Sequence, residues 1–267
     1  MFNENFFENY LKHAPLPLAM ERTQECILLS KHKFETPILD IGCGDGIFAN
    51  MLFRKSIDVG IDPNKKELQR AKLTNKYSEL IQCYGDNIPK PDGCFKTIFS
   101  NSVMEHIPDI KPVLKEAYRL LDKDGRLYLT LPTQLFDKYT FGYQILSKLG
   151  MKDKGNKFSN LFNKFWCHYH YYNISGWCEL FNEIGFIVEF EQEYGKRNMC
   201  LFNDFMALFS LPSFFTRKIA NTWFWSAKWR RTYVRALAFL VPLNFKNIEA
   251  QKGQGGLIFF VLRKNAK

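Results

Sequence analysis

A glycine-rich turn after a short apolar run constrains this chain most. It reads Pro37-Ile38-Leu39-Asp40-Ile41-Gly42-Cys43-Gly44-Asp45-Gly46-Ile47-Phe48-Ala49. The pattern predicts a buried strand, a tight turn and the start of a helix. Glycines let the backbone bend without a Cβ in the way, so a flat ligand can lie against the main chain at the carboxyl end of the strand. We therefore expect the floor of a cofactor site here.

The spacing and the charges around this turn narrow the choice of cofactor. The third glycine comes one position too early for a G-x-G-x-x-G dinucleotide loop, and Ile47 stands where that loop needs a small residue. Asp40 and Asp45 flank the turn, where carboxylates repel a pyrophosphate. Asp62 ends a second apolar run, 20 positions after Gly42, where an acidic side chain can accept both ribose hydroxyls. Together these features favour an adenosine-containing cation.

At these residues the chain resembles the class I, Rossmann-like S-adenosylmethionine-dependent methyltransferases of the small-molecule or lipid type. Three segments carry the first part of the resemblance: Asp40-x-Gly42-x-Gly44-x-Gly46 is similar to the family's first motif, Gly60-Ile61-Asp62 to its ribose-binding strand end, and Gly85-Asp86-Asn87-Ile88-Pro89 to its adenine turn. Phe95–Ile107 is similar to the fourth strand and following loop, and 114–132 to the next helix and strand. The resemblance covers roughly residues 34–194 and 256–264.

The resemblance implies S-adenosyl-L-methionine as methyl donor. It assigns cofactor binding to Asp40, Gly42, Gly44, Gly46, Asp62, Asp86, Asn87 and Asn101. It also implies a doubly wound α/β fold whose seven-stranded sheet is mostly parallel with an antiparallel last strand. The alternation of strand and helix patterns agrees, because such an order requires a parallel sheet with right-handed crossovers.

Local signals predict where several elements begin and end. Helices are expected over Pro17–Lys33 and Gly46–Lys55, and a third is expected to start at Asp62-Pro63 with Asp62 as N-cap. A third strand is predicted over Leu80–Asp86. Either Asn173 or Ser175 should cap a helix that Gly185 ends, and strands should follow at 186–194 and 256–263.

We expect one elaborated domain, since doubly wound folds of 267 residues commonly form a single unit. Its predicted parts are a helical segment (1–33), a cofactor-binding core (34–132), an acceptor-side insertion (133–173), the remaining core (174–195 and 256–264) and a basic aromatic helical insertion (196–255). The two insertions, which would form an acceptor cap, are rich in aromatic residues. This favours an amphiphilic acceptor.

Cysteine usage and the ends of the chain favour a cytoplasmic protein. Seven cysteines without a C-x-x-C pair predict reduced thiols. Glu4 and Glu8 replace the basic apolar leader of a signal peptide. The apolar tract Ala236–Leu243 has eight residues, against the roughly 20 that a spanning helix needs, so no transmembrane helix is expected.

The positive charge is concentrated in one stretch. The net charge is +10, and Lys196–Phe245 holds eight basic residues against one acid, Asp204. Within it, Thr222–Leu240 predicts a helix with Trp225, Trp229 and Tyr233 on one face and Lys228, Arg231 and Arg235 on the other. Such a helix, in the insertion at 199–245, could rest on the inner face of an anionic membrane. It could equally pack its aromatic face onto the sheet as a cap.

Three histidines are candidate catalytic residues. His106 follows the fourth strand, and His168 and His170 lie in the aromatic run 166–172. One of them could remove the proton from a hydroxyl acceptor, because histidine titrates near neutral pH. The alternative is that they are hydrogen-bonded packing residues. No third ligand stands at a usual spacing, so no metal is expected. Glu105 is expected to cap the helix near Asp109.

These features together predict an S-adenosylmethionine-dependent methyltransferase acting on a small-molecule, glycan or lipid-linked acceptor. Two alternatives stay open. One is a non-catalytic S-adenosylmethionine-binding module. The other is an RNA-modifying methyltransferase, which the lack of a recognisable nucleic-acid module disfavours.

Overall fold

The computed structural model describes residues 1–210 and 247–265. The helices are α1 Phe6–Leu11, α2 Leu16–Ser30, α3 Ile47–Leu52, α4 Lys65–Leu73, α5 Ile110–Leu120, α6 Phe141–Lys148, α7 Lys152–Phe165, α8 Ile174–Ile184 and α9 Arg197–Phe209. The strands are β1 Ile38–Ile41, β2 Ile57–Ile61, β3 Tyr77–Ile81, β4 Phe95–Asn101, β5 Leu121–Pro132, β6 Phe186–Lys196 and β7 Gly255–Lys264. The predicted helix Thr222–Leu240 lies outside the described residues.

The seven strands form one sheet in the order β3-β2-β1-β4-β5-β7-β6. The ladders from β3 to β5 are parallel, whereas β7 is antiparallel to both β5 and β6. This confirms the predicted fold class. The strand order reverses between β1 and β4, and in such sheets ligands bind at the carboxyl ends of the strands beside that point.

Strands β1, β4 and β7 are buried along most of their length, as expected for strands covered on both faces. Successive residues of β7 alternate between two cores: Ile258, Phe260 and Leu262 pack with α5 and α8, and Phe259 and Val261 pack with α2 and α3. The central strand β1 is buried along its whole length. Side chains can therefore be presented to ligands mainly at the edge of the sheet formed by the carboxyl ends of the parallel strands.

Two of the predicted element boundaries are wrong. The third strand covers Tyr77–Ile81 rather than Leu80–Asp86, because its parallel ladder to β2 runs from Ile57 opposite Tyr77 to Ile61 opposite Ile81. Helix α4 is capped by Asn64, whose side chain accepts a hydrogen bond from the Lys66 amide. Asp62 is not the N-cap, since it lies three residues before the first residue of the helix, and its carboxylate accepts hydrogen bonds from the Gly44 and Asn64 amides.

Other boundaries agree with the sequence. Asn173, not Ser175, caps α8 by accepting a 2.8 Å hydrogen bond from the amide of Gly176. Gly185 ends that helix with φ 107°, a conformation that favours glycine. The insertion 133–173 contains a 3-10 turn at Asp137–Tyr139 followed by the helical hairpin of α6 and α7.

In the described ranges, no helix is long and apolar enough to cross a bilayer. All seven cysteines are free thiols.

Glu193 of β6 organises the return of the chain to the sheet before β7. It is buried, and its two carboxylate oxygens accept hydrogen bonds from the amides of Gly253, Gln254 and Gly255 at 2.6–2.9 Å. Glu191 on the same strand instead pairs with the exposed Lys252.

We predict that Glu193→Gln lowers the free energy of unfolding by about 1–3 kcal/mol, because one amide oxygen must replace two carboxylate oxygens and the NH₂ group faces donors. Glu191→Gln, the matched control, should cost at most about 1 kcal/mol. Urea unfolding of both variants measures the difference. Equal losses would contradict this assignment.

Candidate active site

The three loop glycines have positive φ angles, and each serves a different purpose. A Cβ on Gly42 would lie 2.5 Å from Cγ1 of Val103, and one on Gly46 would lie 3.0 Å from the backbone of Ala71 in α4. These two glycines therefore allow close packing of the loop. A Cβ on Gly44 would meet nothing within 4 Å, so Gly44 alone opens onto free space.

Asp62, at the end of β2, holds the loop in place. One carboxylate oxygen accepts a 3.0 Å hydrogen bond from the Gly44 amide, and the other accepts a 2.8 Å bond from the Asn64 amide. The side chain is half-buried, and each oxygen keeps a second lone pair. The structure thus places Asp62 against Gly44, with capacity for further hydrogen bonds.

Asp40 does not border the open side of the loop as the sequence suggested. It is buried in β1 and accepts a 2.7 Å hydrogen bond from the Tyr77 hydroxyl. Burial raises the pKa of its carboxyl to about 7. Asp45 flanks the glycine turn as predicted, and its carboxylate accepts a hydrogen bond from the Ile47 amide at the start of α3. The negative charge at the loop therefore comes mainly from Asp62 and Asp45.

The loop carrying Asp86 and Asn87 folds back over the sheet edge. A Cβ on Gly85 would lie 3.4 Å from Ile41 at the end of β1 and 2.9 Å from Val113 of α5. Asp86 and Asn87 themselves are exposed. The structure thus brings this loop to the end of β1, beside the glycine turn.

Asn101 belongs to a buried polar cluster around Glu25 of α2, which we call the Glu25 cluster. Glu25 is fully buried and accepts hydrogen bonds from Arg22, Asn101, Ser102 and Tyr194. Arg22 also donates to the Ser102 hydroxyl at 2.6 Å, and Thr130 donates to Asn101 at 2.9 Å. The cluster joins α2 to the carboxyl ends of β4 and β5. In the sequence, this cluster is indicated by a run of charged residues on the face of α2 that packs against the sheet.

A cavity of about 340 Å³ adjoins this cluster, since Arg22 and Ser102 are among its lining residues. Ser102, Glu21 and Arg22 form one wall, and aromatic residues of the 133–173 insertion and residues of α9 form the others. The aromatic lining residues are Phe136, Tyr139, Phe162 and Trp166. The cavity thus combines a polar wall at the sheet with an aromatic body.

Glu105 does not have the helix-capping role that the sequence predicts. It does not cap α5, whose N-cap is Asp109. Instead Glu105 is 4% exposed and lines the cavity, and its Oε2 atom has no hydrogen-bond partner among the described residues. Burial raises the pKa of this carboxyl to about 8. A buried, unpaired carboxyl oxygen is costly unless a ligand satisfies it.

Two of the three candidate histidines reach the cavity. His106 and His168 both line it, with ring centroids 5.1 Å apart. His170 is outside the lining, and its ring nitrogens bond the Tyr172 hydroxyl and the Ile107 carbonyl, both at 2.9 Å. Burial lowers the pKa of His106 and lowers that of His168 to about 4. In the described part of the chain, no group of three or more His, Cys, Asp or Glu side chains is arranged to hold a metal.

Comparison with known proteins agrees with this architecture. A family model described as a methyltransferase domain matches residues 39–129. The Bacillus subtilis protein YrhH, named as a methyltransferase, is 30% identical over 123 residues, which cover 43% of this chain and 68% of YrhH. A ubiquinone biosynthesis O-methyltransferase of Pelagibacter ubique is 32% identical over 108 residues, 39% of this chain. The match spans 45% of that enzyme's length.

The fold itself is shared with solved structures. An S-adenosylmethionine-dependent methyltransferase from Thermotoga maritima superposes with a TM-score of 0.57 at 17% identity, covering 94% of this chain and 92% of that one. The chain belongs to the class I, Rossmann-like S-adenosylmethionine-dependent methyltransferases. S-Adenosylmethionine is its methyl donor. The crevice fits that group, because Gly44 leaves its floor open and Asp62 has hydrogen-bonding capacity beside it.

We predict different outcomes for two alanine substitutions in the loop. Gly42→Ala should lower both the melting temperature and the affinity for S-adenosylmethionine, because its Cβ would collide with Val103. Gly44→Ala should lower the affinity with a smaller loss of stability, because its Cβ points into open space and only the positive φ is unfavourable. Thermal unfolding and calorimetric titration separate the two effects. Unchanged affinity in Gly44→Ala would contradict the assignment of the cofactor floor.

Proposed function

We propose that this methyltransferase methylates a hydroxyl group of a small amphiphilic acceptor bound in the aromatic cavity, and that Glu105 takes the hydroxyl proton. The observation that carries the proposal is that Glu105 lines the cavity while its buried Oε2 atom has no partner in the described part of the chain. A hydroxyl group placed there would satisfy that oxygen.

On the cofactor side, Asp62 would bind the ribose hydroxyls and Gly44 would lie beneath the donor's methionyl part. Asp86 and Asn87 would border the adenine, and the cationic Arg22 would attract the donor's carboxylate. When bound, S-adenosylmethionine supplies an electrophilic methyl group on a positively charged sulfur. Asn101 would act through the Glu25 cluster, since both its amide and its carbonyl are bonded within the protein.

A base is needed because a hydroxyl group is a weak nucleophile until its proton is removed. Glu105 is placed for this role at the polar wall of the cavity, with His106 Nε2 3.8 Å from its Oε1 atom. The aromatic lining would hold an apolar ring or chain and keep water away, so that alignment lowers the barrier. The ubiquinone biosynthesis O-methyltransferases among the relatives support an oxygen acceptor.

The insertions 133–173 and 196–255 would form the acceptor cap. Supporting this, the described parts of both contribute residues to the cavity wall, among them Phe162, Trp166, Met199 and Asn203.

The acceptor would be reached from an anionic membrane surface. Two observations support this: the basic, aromatic sequence of 211–246, which lies outside the described residues, and the exposed surface of α6 and α7. Ile145, Leu149, Leu161 and Phe165 are 52–77% exposed. Five exposed lysines, Lys148, Lys152, Lys154, Lys157 and Lys164, surround them with a single acid, Asp153. Apolar side chains among lysines are typical of peripheral membrane contact.

A vesicle experiment tests this contact. We predict that the protein co-sediments with phosphatidylglycerol vesicles in a salt-sensitive manner, and that Leu161→Ser with Phe165→Ser weakens binding by about tenfold or more, since two apolar side chains no longer insert. Leu73→Ser on α4, 83% exposed in the wild type, is the control and should have no effect. No association at low salt would contradict the membrane part of the proposal.

The role of Glu105 predicts a pH dependence. The base must be ionised, so kcat/KM should rise tenfold per pH unit up to about pH 8 and then level off. Glu105→Gln should abolish this rise of kcat/KM with pH and lower kcat by about 10²- to 10⁴-fold. Glu183→Gln, on the surface, should change neither. The assay follows label from S-adenosylmethionine into fractions of a cell extract, and the product is analysed for a methyl ether. Wild-type rates in Glu105→Gln would contradict the role.

The raised pKa of Glu105 also predicts how the stability of the wild type and of Glu105→Gln depends on pH. The pKa of Glu105 is raised above the 4.5 of an ordinary glutamic acid, so the folded state holds its proton more tightly than the unfolded state. Wild-type stability should therefore fall as pH rises from about 4.5 to about 8. Glu105→Gln should show a smaller fall in melting temperature across that window. An identical fall would show that Glu105 is not the buried acid described here.

A further inference from the structure

A chain of three hydrogen-bonded side chains leads from the insertion to the cavity. Asp137 and Asn163 are 3% and 4% exposed. The amide nitrogen of Asn163 donates to Asp137 Oδ2 at 3.0 Å, and its carbonyl oxygen lies 3.2 Å from Nδ1 of His168. His168 is the last member and lines the cavity.

The chemistry of these groups fixes where the histidine proton lies. The carboxylate of Asp137, which also pairs with Lys138 at 3.3 Å, can only accept hydrogen bonds. Asn163 must therefore turn its NH₂ group toward Asp137 and its carbonyl oxygen toward His168. A carbonyl oxygen also only accepts, so Nδ1 of His168 must carry the hydrogen. In a neutral imidazole, Nε2 then has a free lone pair.

The surroundings keep the ring neutral and in one orientation. The rings of Phe136 and Phe162 pack against it at 5.8 and 6.1 Å in edge-to-face geometry. Burial and the neighbouring His106 lower the pKa of His168 to about 4. A neutral imidazole of such low basicity is a poor general base but a good hydrogen-bond acceptor.

We propose that Asp137 and Asn163 hold His168 in the tautomer protonated on Nδ1, so that its Nε2 positions the methyl acceptor by accepting a hydrogen bond from it. The inference rests on the proposed function in taking the cavity as the acceptor site, and it assigns the proton transfer to Glu105 rather than to His168. It also sets a specificity rule: a productive acceptor presents a hydrogen-bond donor to Nε2 in addition to an apolar body.

The tautomer can be measured without any acceptor. In ¹⁵N-labelled protein, long-range ¹H–¹⁵N correlation spectra should show His168 with a protonated Nδ1 and an unprotonated Nε2 between pH 6 and 8. Asn163→Leu removes the carbonyl partner and should yield a mixture of tautomers, with melting temperature as the check on folding. Protonation on Nε2 in the wild type would overturn the proposal, whether or not the enzyme acts on a hydroxyl group.

Two substitutions of His168 separate positioning from packing. His168→Asn keeps a polar group near the Nδ1 position but lacks an acceptor at Nε2, whereas the longer His168→Gln can place its carbonyl oxygen there. With the label-accepting extract fraction as substrate, His168→Asn should raise the acceptor KM about two- to tenfold, as expected for one hydrogen bond. His168→Gln should recover most of that loss, and the affinity for S-adenosylmethionine should be unchanged in both. Equal KM values for the two variants, or a loss in kcat alone, would overturn the positioning role.

Discussion

The arrangement of this methyltransferase depends on one buried carboxylate, Glu25. Four side chains from α2, β4 and β6 and the residue after β4 donate hydrogen bonds to it, and Arg22 supplies the compensating charge. Removing a partner from such a buried network leaves an uncompensated charge, which typically costs about 3–5 kcal/mol. The cluster fixes α2 across the carboxyl edge of the sheet. Arg22 and Ser102 of the cluster also line the aromatic cavity, so the cluster gives that cavity a polar wall.

In the proposed function, this edge of the sheet serves two ligands of different chemistry. On one side, Asp62 and the open Gly44 present carboxylate and backbone groups. On the other, aromatic side chains of the 133–173 insertion line the cavity together with polar groups, among them Glu105, His106 and His168. Ser102 lies at the boundary with φ 51°, a strained conformation for a non-glycine residue that the surrounding hydrogen bonds maintain. The shared core provides the fold and the cofactor site, and in the proposed function the insertions set the selectivity for the acceptor.

The sequence predicted the central strands and the glycine loop because their signals are local. Gly42 and Gly46 must be glycine for packing, and short, mostly apolar runs mark β1 and β2. The third strand was misplaced because β3 is a half-exposed edge strand containing Ser78 and Glu79, with no apolar run to mark it. Asp62 directly follows β2, but α4 begins only at Lys65, so Asn64 rather than Asp62 is its cap.

The residues that line the cavity were harder to predict from the sequence, because their burial and hydrogen bonding depend on distant segments. His168 and His170 are two positions apart and look equivalent in the sequence, yet only His168 lines the cavity. Glu105 beside Asp109 resembles a helix cap, and its burial arises only when the insertion packs over it, with the Tyr169 amide bonded to its carbonyl. The sequence places a charged residue, Glu25, on the buried face of α2. Its four partners could not be predicted, because they are spread along the chain from residue 22 to residue 194.

The most direct test of this account is a crystal structure with S-adenosylhomocysteine, the demethylated donor, bound. The account predicts that its ribose lies against Asp62 and that its sulfur faces the cavity at Ser102, toward Glu105. A nucleoside seated in the aromatic cavity itself, or a sulfur directed away from Glu105, would contradict it.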